Sequence, residues 1–330
     1  MTGQQKISLP LHQCVVASDP KIVTLRAGCD VVIGAREDND WERRSMQEFD
    51  GRTAFVTGGA SGIGLAMARA FGRAGMQVMI ADVEEQALGA AVNELQGLQI
   101  RADGTLCDVS QRDAVAHAAR HTIETFGNVH VVCNNAGVGG GGQIGEASLN
   151  TWDWVLGVNL MGVVYGLQEF VPHMKAHGEG GHIVNTASMA GMINMPGMGP
   201  YNASKFAVVS MSETLVQELA PFGIGVSVLC PGWVRTGISD SERNRPDDLA
   251  DGSPPLGDAE MTSRRATIRE LIAQGLEPDV VGARVLEAVR NNELHIFTHM
   301  DMRPAFEERI AAISAAWDRA EDSPALNQGV

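Results

Sequence analysis

The chain is short of positive charge. Its 25 Lys and Arg stand against 40 Asp and Glu, a formal net charge of −15. So acidic a surface repels phosphate backbones and anionic headgroups, which excludes sequence-independent nucleic-acid binding and attachment to an anionic membrane. An anionic ligand would have to rely on local donors. Cysteine is sparse too: Cys14, Cys29, Cys107, Cys133 and Cys230 lie far apart with no C-x-x-C pair. That excludes a disulfide framework and a zinc ribbon, and Cys107, Cys133 and Cys230, set in apolar runs, read as small core residues. No uninterrupted run approaches the ~18 apolar residues of a membrane helix. The N-terminus lacks a basic region leading into an apolar segment, so no signal peptide is read and a cytoplasmic location is expected. The pairs His117/His121, His173/His177 and His295/His299 have i, i+4 spacing but no H-E-x-x-H glutamate or third ligand. No metal site is expected, and all three pairs read as solvated surface histidines.

What is present is ordinary globular usage, 44% hydrophobic and 20% charged over 330 residues, enough for a sizeable core. That length admits two domains or one α/β domain with additions. Residues 1–45 show no clear strand–helix alternation, and Met46 opens M-Q-E-F-D-G-R-T-A-F-V-T-G-G as a domain begins. The first 45 residues are expected to be a dispensable extension, disordered or contributed by an upstream start, with an oligomer-contacting arm as the rival reading. From residue 51, β-branched runs alternate with segments of helical period. The runs are Thr53–Thr57, Gln77–Asp82, Thr105–Asp108, Val129–Asn134, His182–Ser188, Val226–Cys230 and Leu294–Thr298; helical patterns fall near 63–75, 84–96, 111–126, 151–176, 201–220 and 278–291. This alternation predicts an α/β fold, a doubly wound parallel seven-stranded sheet in a single domain over 46–321. Residues 237–262, rich in Asp, Ser, Pro and Gly, read as a lid on the ligand side of the sheet, and 322–330 as a tail.

The first strand runs into Thr57-Gly58-Gly59-Ala60-Ser61-Gly62-Ile63-Gly64 and then a helix. The spacing is G-x-x-x-G-x-G. Such glycines let the backbone turn tightly and approach a pyrophosphate seated on the helix N-terminus, although a turn without ligand would use them equally. Asp82 ends the second strand 24 residues past Gly58, near the offset at which an acid accepts hydrogen bonds from the adenosine ribose. It also suits a helix N-cap. With no Arg or Lys between Gly58 and Gly64 or directly after Asp82, NAD is preferred over NADP. Tyr201 and Lys205, four apart, share a helix face. A neighbouring ammonium and an oxidised nicotinamide lower a phenol pKa, so that Tyr201 can take or return the hydroxyl proton of an alcohol. Ser188, at the carboxyl edge of the sheet, can hold the substrate oxygen beside it; a strand-end turn serine would look the same.

Together these residues resemble the short-chain dehydrogenase/reductase family, over roughly residues 51–235. T-G-x-x-x-G-I-G is Thr57 to Gly64, N-N-A-G is Asn134 to Gly137, and the Ser-Tyr-x-x-x-Lys set is Ser188, Tyr201 and Lys205. Asn159 matches the family's helix asparagine, and Pro231-Gly232 with Val234 and Thr236 match its nicotinamide segment. The resemblance implies a Rossmann fold and a tetrad of Asn159, Ser188, Tyr201 and Lys205, with Asn159 holding a water in a proton relay and Lys205 also bonding the nicotinamide ribose. It further implies that Gly58, Ser61, Gly62, Ile63 and Gly64 hold the pyrophosphate and Asp82 the ribose. Asp108 and Val109 would contact adenine, Asn135, Ala136 and Gly137 would line the adenosine side, and Pro231, Gly232, Val234 and Thr236 would flank the carboxamide. A homodimer or homotetramer is implied as well.

Met189, Met192, Ile193, Met195, Met198, Trp233 and Ile238 cluster around these motifs. Methionine adapts to irregular apolar shapes, which points to a bulky hydrophobic or aromatic secondary alcohol, with core packing as the plain alternative. The stretch from Gly275 to Ile313 is similar to family members that oxidise benzylic alcohols of lignin-derived aryl ethers. The expected activity is hydride transfer between NAD(H) and a secondary alcohol or ketone. An NADPH-dependent carbonyl reductase is the alternative, and a non-catalytic dinucleotide-binding scaffold comes after it.

Overall fold

A computed structural model describes residues 23–25, 31–33, 46–251 and 259–327, without the side chains of 23–25, 31–33 and 259–265. Contacts divide the chain into residues 1–43 and 44–330. In the first unit, β1 (Val23–Leu25) and β2 (Val31–Ile33) pair antiparallel, with Val23 opposite Ile33. The remainder of the expected extension, residues 252–258 of the expected lid and the last three residues of the tail lie outside the described residues.

The second unit is built on a seven-stranded parallel sheet. Its strands are β3 (Thr53–Thr57), β4 (Gln77–Asp82), β5 (Ala102–Leu106), β6 (Val131–Asn134), β7 (Gly181–Thr186), β8 (Ile224–Cys230) and β9 (His295–Phe297), in the order β5-β4-β3-β6-β7-β8-β9. Residues alternate across the pleat, so Ala54 and Val56 enter one core and Phe55 the other. The first core packs under α1 (Gly62–Arg73), α2 (Glu85–Gly97) and α8 (Pro278–Asn291), and takes in Met46 and Phe49 from the start of the unit. The second packs under α3 (Arg112–Phe126) and α5 (Gly162–His177), with α6 (Gly199–Leu219) closing its edge. With both faces covered, the central runs Ala54–Val56 and Val78–Ala81 are apolar at every position rather than alternating.

Several element ends differ from the sequence reading for identifiable reasons. β6 runs in register from Val131, with His130 already bonding Thr53 and His182; Val129 stays out because its N–H donates to His173 Nε2 at 3.1 Å and its carbonyl is met by His177 Nε2 at 3.0 Å. β7 stops at Thr186, since Ser188 already opens a 3-10 turn. α4 (Leu149–Leu156) and α5 are joined by one π-helical turn, Gly157–Met161. Leu149–His177 is the one helical run among the described residues apolar enough by length and composition to cross a membrane; here its inner side packs against the sheet. The last residues of the expected loop already belong to α7 (Ala259–Ala273), and α9 (Arg303–Glu321) and the short α10 (Pro324–Asn327) follow β9.

β3 lies next to both β4 and β6, which continue the sheet in opposite directions. Chain order reverses there. A crevice opens at such a point, at the carboxyl ends of the strands, and the predicted site residues lie along that edge.

Candidate active site

The glycine turn leaves β3 with positive φ at Gly58 (62°) and Gly62 (53°). A Cβ on Gly58 would stand 2.9 Å from Ala136 Cα, and one on Gly64 would overlap the Gly58 carbonyl, so no larger residue fits this path. Ser61 does not cap α1 with its side chain, and the first turn carries no acid. Its N–H groups therefore lack a carboxylate or hydroxyl partner from the cap, and they adjoin a cleft of about 430 Å³ lined by Gly62, Arg235, Thr236, Gly237 and Arg269. Such helix N-terminal donors beside a cleft fit a pyrophosphate. Asp82 lies against the same turn. Its Oδ2 accepts the Ala60 N–H at 3.0 Å and its Oδ1 the Glu84 N–H at 3.1 Å, leaving further lone pairs for a pair of hydroxyls.

Thr57 and Asn135 lock this turn to the next loop. The Thr57 hydroxyl accepts the N–H groups of Asn135 (2.9 Å) and Ala136 (3.0 Å), while Asn135 Nδ2 donates to the Thr57 carbonyl at 3.0 Å. Thr186 donates to Asn135 Oδ1 at 3.2 Å and brings β7 into the lock. Thr57 did not stand among the expected site residues; its place as the last β3 residue before the glycines was the available signal.

Ser188, Tyr201, Lys205 and Asn159 are all buried and come together at the edge. The Ser188 hydroxyl donates to the Pro231 carbonyl at 3.4 Å and accepts the Ala190 N–H at 3.1 Å, and it lies close enough to Tyr201 to draw the phenol pKa down. Burial nonetheless pushes the Tyr201 phenol up, outweighing Ser188. Lys205 Nζ stands 5.6 Å from the Tyr201 ring centre and donates to the Thr186 carbonyl at 2.9 Å. Burial pulls its ammonium down to about 8. Asn159 lies on the π turn, a feature that often marks functional positions. Its Oδ1 accepts the Val138 N–H at 2.8 Å, and its Nδ2 donates to the Val138 carbonyl (3.0 Å) and to Ser204 Oγ (3.3 Å). Ser204, missed in the sequence, thereby ties this turn to α6. Gly137 lies between the two groups: a Cβ there would be 3.3 Å from Asn159 Oδ1 and 3.5 Å from Lys205 Nζ.

With this geometry in hand, the sequence matches the short chain dehydrogenase family model over residues 52–247. The chain belongs to the short-chain dehydrogenase family. It is 36% identical over 280 residues to a C alpha-dehydrogenase of a Sphingobium species, covering 84% of this chain and 90% of that one. A Burkholderia phymatum short-chain dehydrogenase solved with NAD is 40% identical, with a TM-score of 0.79 over 82% of this chain and 97% of that one. An actinorhodin polyketide ketoreductase solved with NADPH is 31% identical, with a TM-score of 0.64 over 77% and 97%. The protein is thus an oxidoreductase of this family.

The short-chain dehydrogenase segment after β8 is held by contacts the sequence did not announce. The Gly232 N–H donates to His299 Nδ1 at 3.2 Å, and the Pro231 carbonyl accepts the Met189 N–H at 2.9 Å. Val234 bridges Leu276 through bonds made by Trp233 and Arg235, which leaves its own peptide groups out of the pairing. Thr236 Oγ1 is 3.5 Å from the Ile238 N–H. Asp108 spends Oδ1 on Ser110, and Val109 is packed against Gly162.

Two expectations need correction. Met189 and Met192 belong to a core cluster under α6, so the plain reading holds for them; Ile193, Met195, Met198, Trp233 and Ile238 remain only partly buried. The histidine pairs are not uniformly solvated. His173 and His177 bond the backbone of Val129, and His130, 5.3 Å ring to ring from His177, pairs with Glu179 at 2.8 Å. Burial holds His130 and His173 below the ordinary histidine range. His299 supports Gly232, and His295 pairs with Glu213 at 3.1 Å. His117 stays exposed and His121 partly so.

Proposed function

We propose that this protein transfers hydride between NAD(H) and a secondary alcohol or ketone, with Tyr201 handling the proton at the substrate oxygen. The observation that carries this reading is that Ser188, Tyr201, Lys205 and Asn159 are all buried at the sheet edge beside the glycine cradle, with Lys205 Nζ 5.6 Å from the Tyr201 ring centre and Asn159 tied to α6 through Ser204. The nicotinamide, when bound, supplies the hydride acceptor or donor. Ser188 orients the substrate oxygen toward the phenol. Lys205 provides the positive charge that favours the phenolate once substrate excludes water. Asn159, through Ser204 and Val138, holds the turn of α6 and the loop beside Gly137 in register. Ser61, Gly62, Ile63 and the rest of the turn are the residues that would hold the pyrophosphate, and Asp82 the adenosine ribose.

Asp82 favours NAD, since a carboxylate there repels a 2′-phosphate. For the substrate, the partly buried Ile193, Met195, Met198, Trp233 and Ile238 support a bulky hydrophobic or aromatic alcohol, and the relative named a C alpha-dehydrogenase supports a dehydrogenase reaction. Titration with NADH and NADPH, followed by nicotinamide fluorescence, tests the cofactor assignment directly, and tighter NADPH binding would overturn it. Tyr201→Phe is expected to bind NADH nearly as the parent does while losing turnover on aromatic secondary alcohols by at least about a hundredfold. Undiminished turnover in that variant would refute the mechanism.

A further inference from the structure

The segment following Thr236 crosses the cofactor cleft from the β8 side to the β4 side. At its start, Thr236 Cγ2 lies 3.0 Å from where a Cβ on Gly62 would stand. Midway, Ser241 Oγ accepts the Gly139 N–H at 3.0 Å. At the far side, Arg243 Nη2 forms an ion pair with Glu84 Oε1, to which Asn244 Nδ2 also donates at 2.9 Å. Glu84 is two residues beyond Asp82, and its N–H is held by that carboxylate. Residues 237–244 therefore bridge the glycine turn from Gly62 to Glu84. Farther along, Arg245 lies 5.2 Å over the Trp154 ring and pairs with Asp251 at 2.8 Å, anchoring the segment to the start of α4.

We propose that Arg243 and Glu84 form a clasp that holds this strap closed over the dinucleotide and thereby sets how fast the cofactor leaves. The inference rests on the NAD(H) reading above. Arg243 suits the role because its Nη1 donates to the strap's own carbonyls, Gly237 at 3.2 Å and Asp240 at 2.9 Å, while Nη2 reaches Glu84. One guanidinium thus shapes the strap and latches it, an arrangement an ammonium cannot reproduce. It also bears on nucleotide choice. Arg243 is the cation that the residues around Asp82 lacked, brought there from 159 positions away. It is committed to Glu84, so a 2′-phosphate would have to compete for it, and NADPH binding would cost the clasp.

The test is stopped-flow release of NADH from the full chain and from Arg243→Gln, Glu84→Gln and the double variant. Each single change is expected to speed release roughly three- to fivefold, modest because the pair is partly exposed. The double variant should release no faster than the quicker single, since the two act on one contact. Amide exchange over 237–244, measured without nucleotide, should quicken in both single variants. Release within twofold of the parent, or effects that multiply in the double variant, would overturn the clasp. So would an Arg243→Gln that loses NADPH affinity but leaves NADH release alone, because Arg243 would then be a phosphate reader. Should the parent bind neither nucleotide, the proposed function itself fails; nucleotide binding with unaltered release defeats the clasp alone.

Discussion

Asn159→Ala is the substitution with the clearest cost. The side chain is fully buried and makes three hydrogen bonds, two of them to the peptide groups of Val138. Alanine leaves that N–H at 2.8 Å and carbonyl at 3.0 Å without the partner that a fully buried side chain supplied. Each buried group left unsatisfied costs about 1–3 kcal/mol, so the variant should lose about 2–6 kcal/mol, a large share of the 5–15 kcal/mol typical of folded domains. Ser204 suffers less, since its hydroxyl keeps its bond to the Tyr201 carbonyl at 2.7 Å. The assay is urea unfolding followed by circular dichroism at one protein concentration, with Asn159→Asp beside it. Aspartate keeps the acceptor for the Val138 N–H but turns an oxygen toward the Val138 carbonyl, so it should also be destabilised although its size is unchanged. Loss of less than about 0.5 kcal/mol in Asn159→Ala would refute the reasoning, because the Val138 groups would then have other partners. Stability lost by the alanine but not the aspartate would mean that volume, not hydrogen bonding, holds the π turn.

Acid should destabilise the protein through His182, whose imidazole burial pulls down to about 3. Its Nε2 bonds Ser227 Oγ at 2.8 Å, and Ser227 donates onward to the Glu293 carbonyl, so the ring is neutral with a bare, buried Nδ1. The folded value lies below the unfolded value of about 6.5, so the stabilisation is complete above that pH and is lost as pH falls toward the folded value, at about 1.4 kcal/mol per pH unit. Urea midpoints between about pH 4.5 and 7 should fall more gently in His182→Gln; an unaltered slope would remove His182 from the account. Gly140 makes a packing prediction, since a Cβ there would overlap Val155 Cγ2. Gly140→Ala should lose about 1–3 kcal/mol and regain part of it when combined with Val155→Ala, whereas simple additivity on thermal unfolding would show that the two do not meet.

Much of the fold was legible because it is encoded locally. Apolar runs such as Gln77–Asp82, set between helical patterns, left little but a covered parallel sheet. The failures were at element ends and in the C-terminal third. β6 leaves Val129 out of its ladder because His173 and His177 take that residue's peptide groups. Phe306, Ile310, Ile313 and Trp317 carried the helical period of α9, a readable signal. α7 carried a weaker one, because its residues are mostly polar.

The glycine turn, the acid after β4 and the Tyr201/Lys205 spacing were determined by the sequence alone. Each depends on backbone conformation or on neighbours within one turn or one βαβ unit. Tertiary structure decided what those residues touch. It put Asn159 against Val138 and Ser204, set His299 under Gly232, and withdrew Met189 and Met192 into the core. It also carried Arg243 to Glu84, supplying the cation that the residues around Asp82 lacked. Such pairings follow from strand order and from the path of the strap across the sheet edge. No local pattern of side chains encodes either.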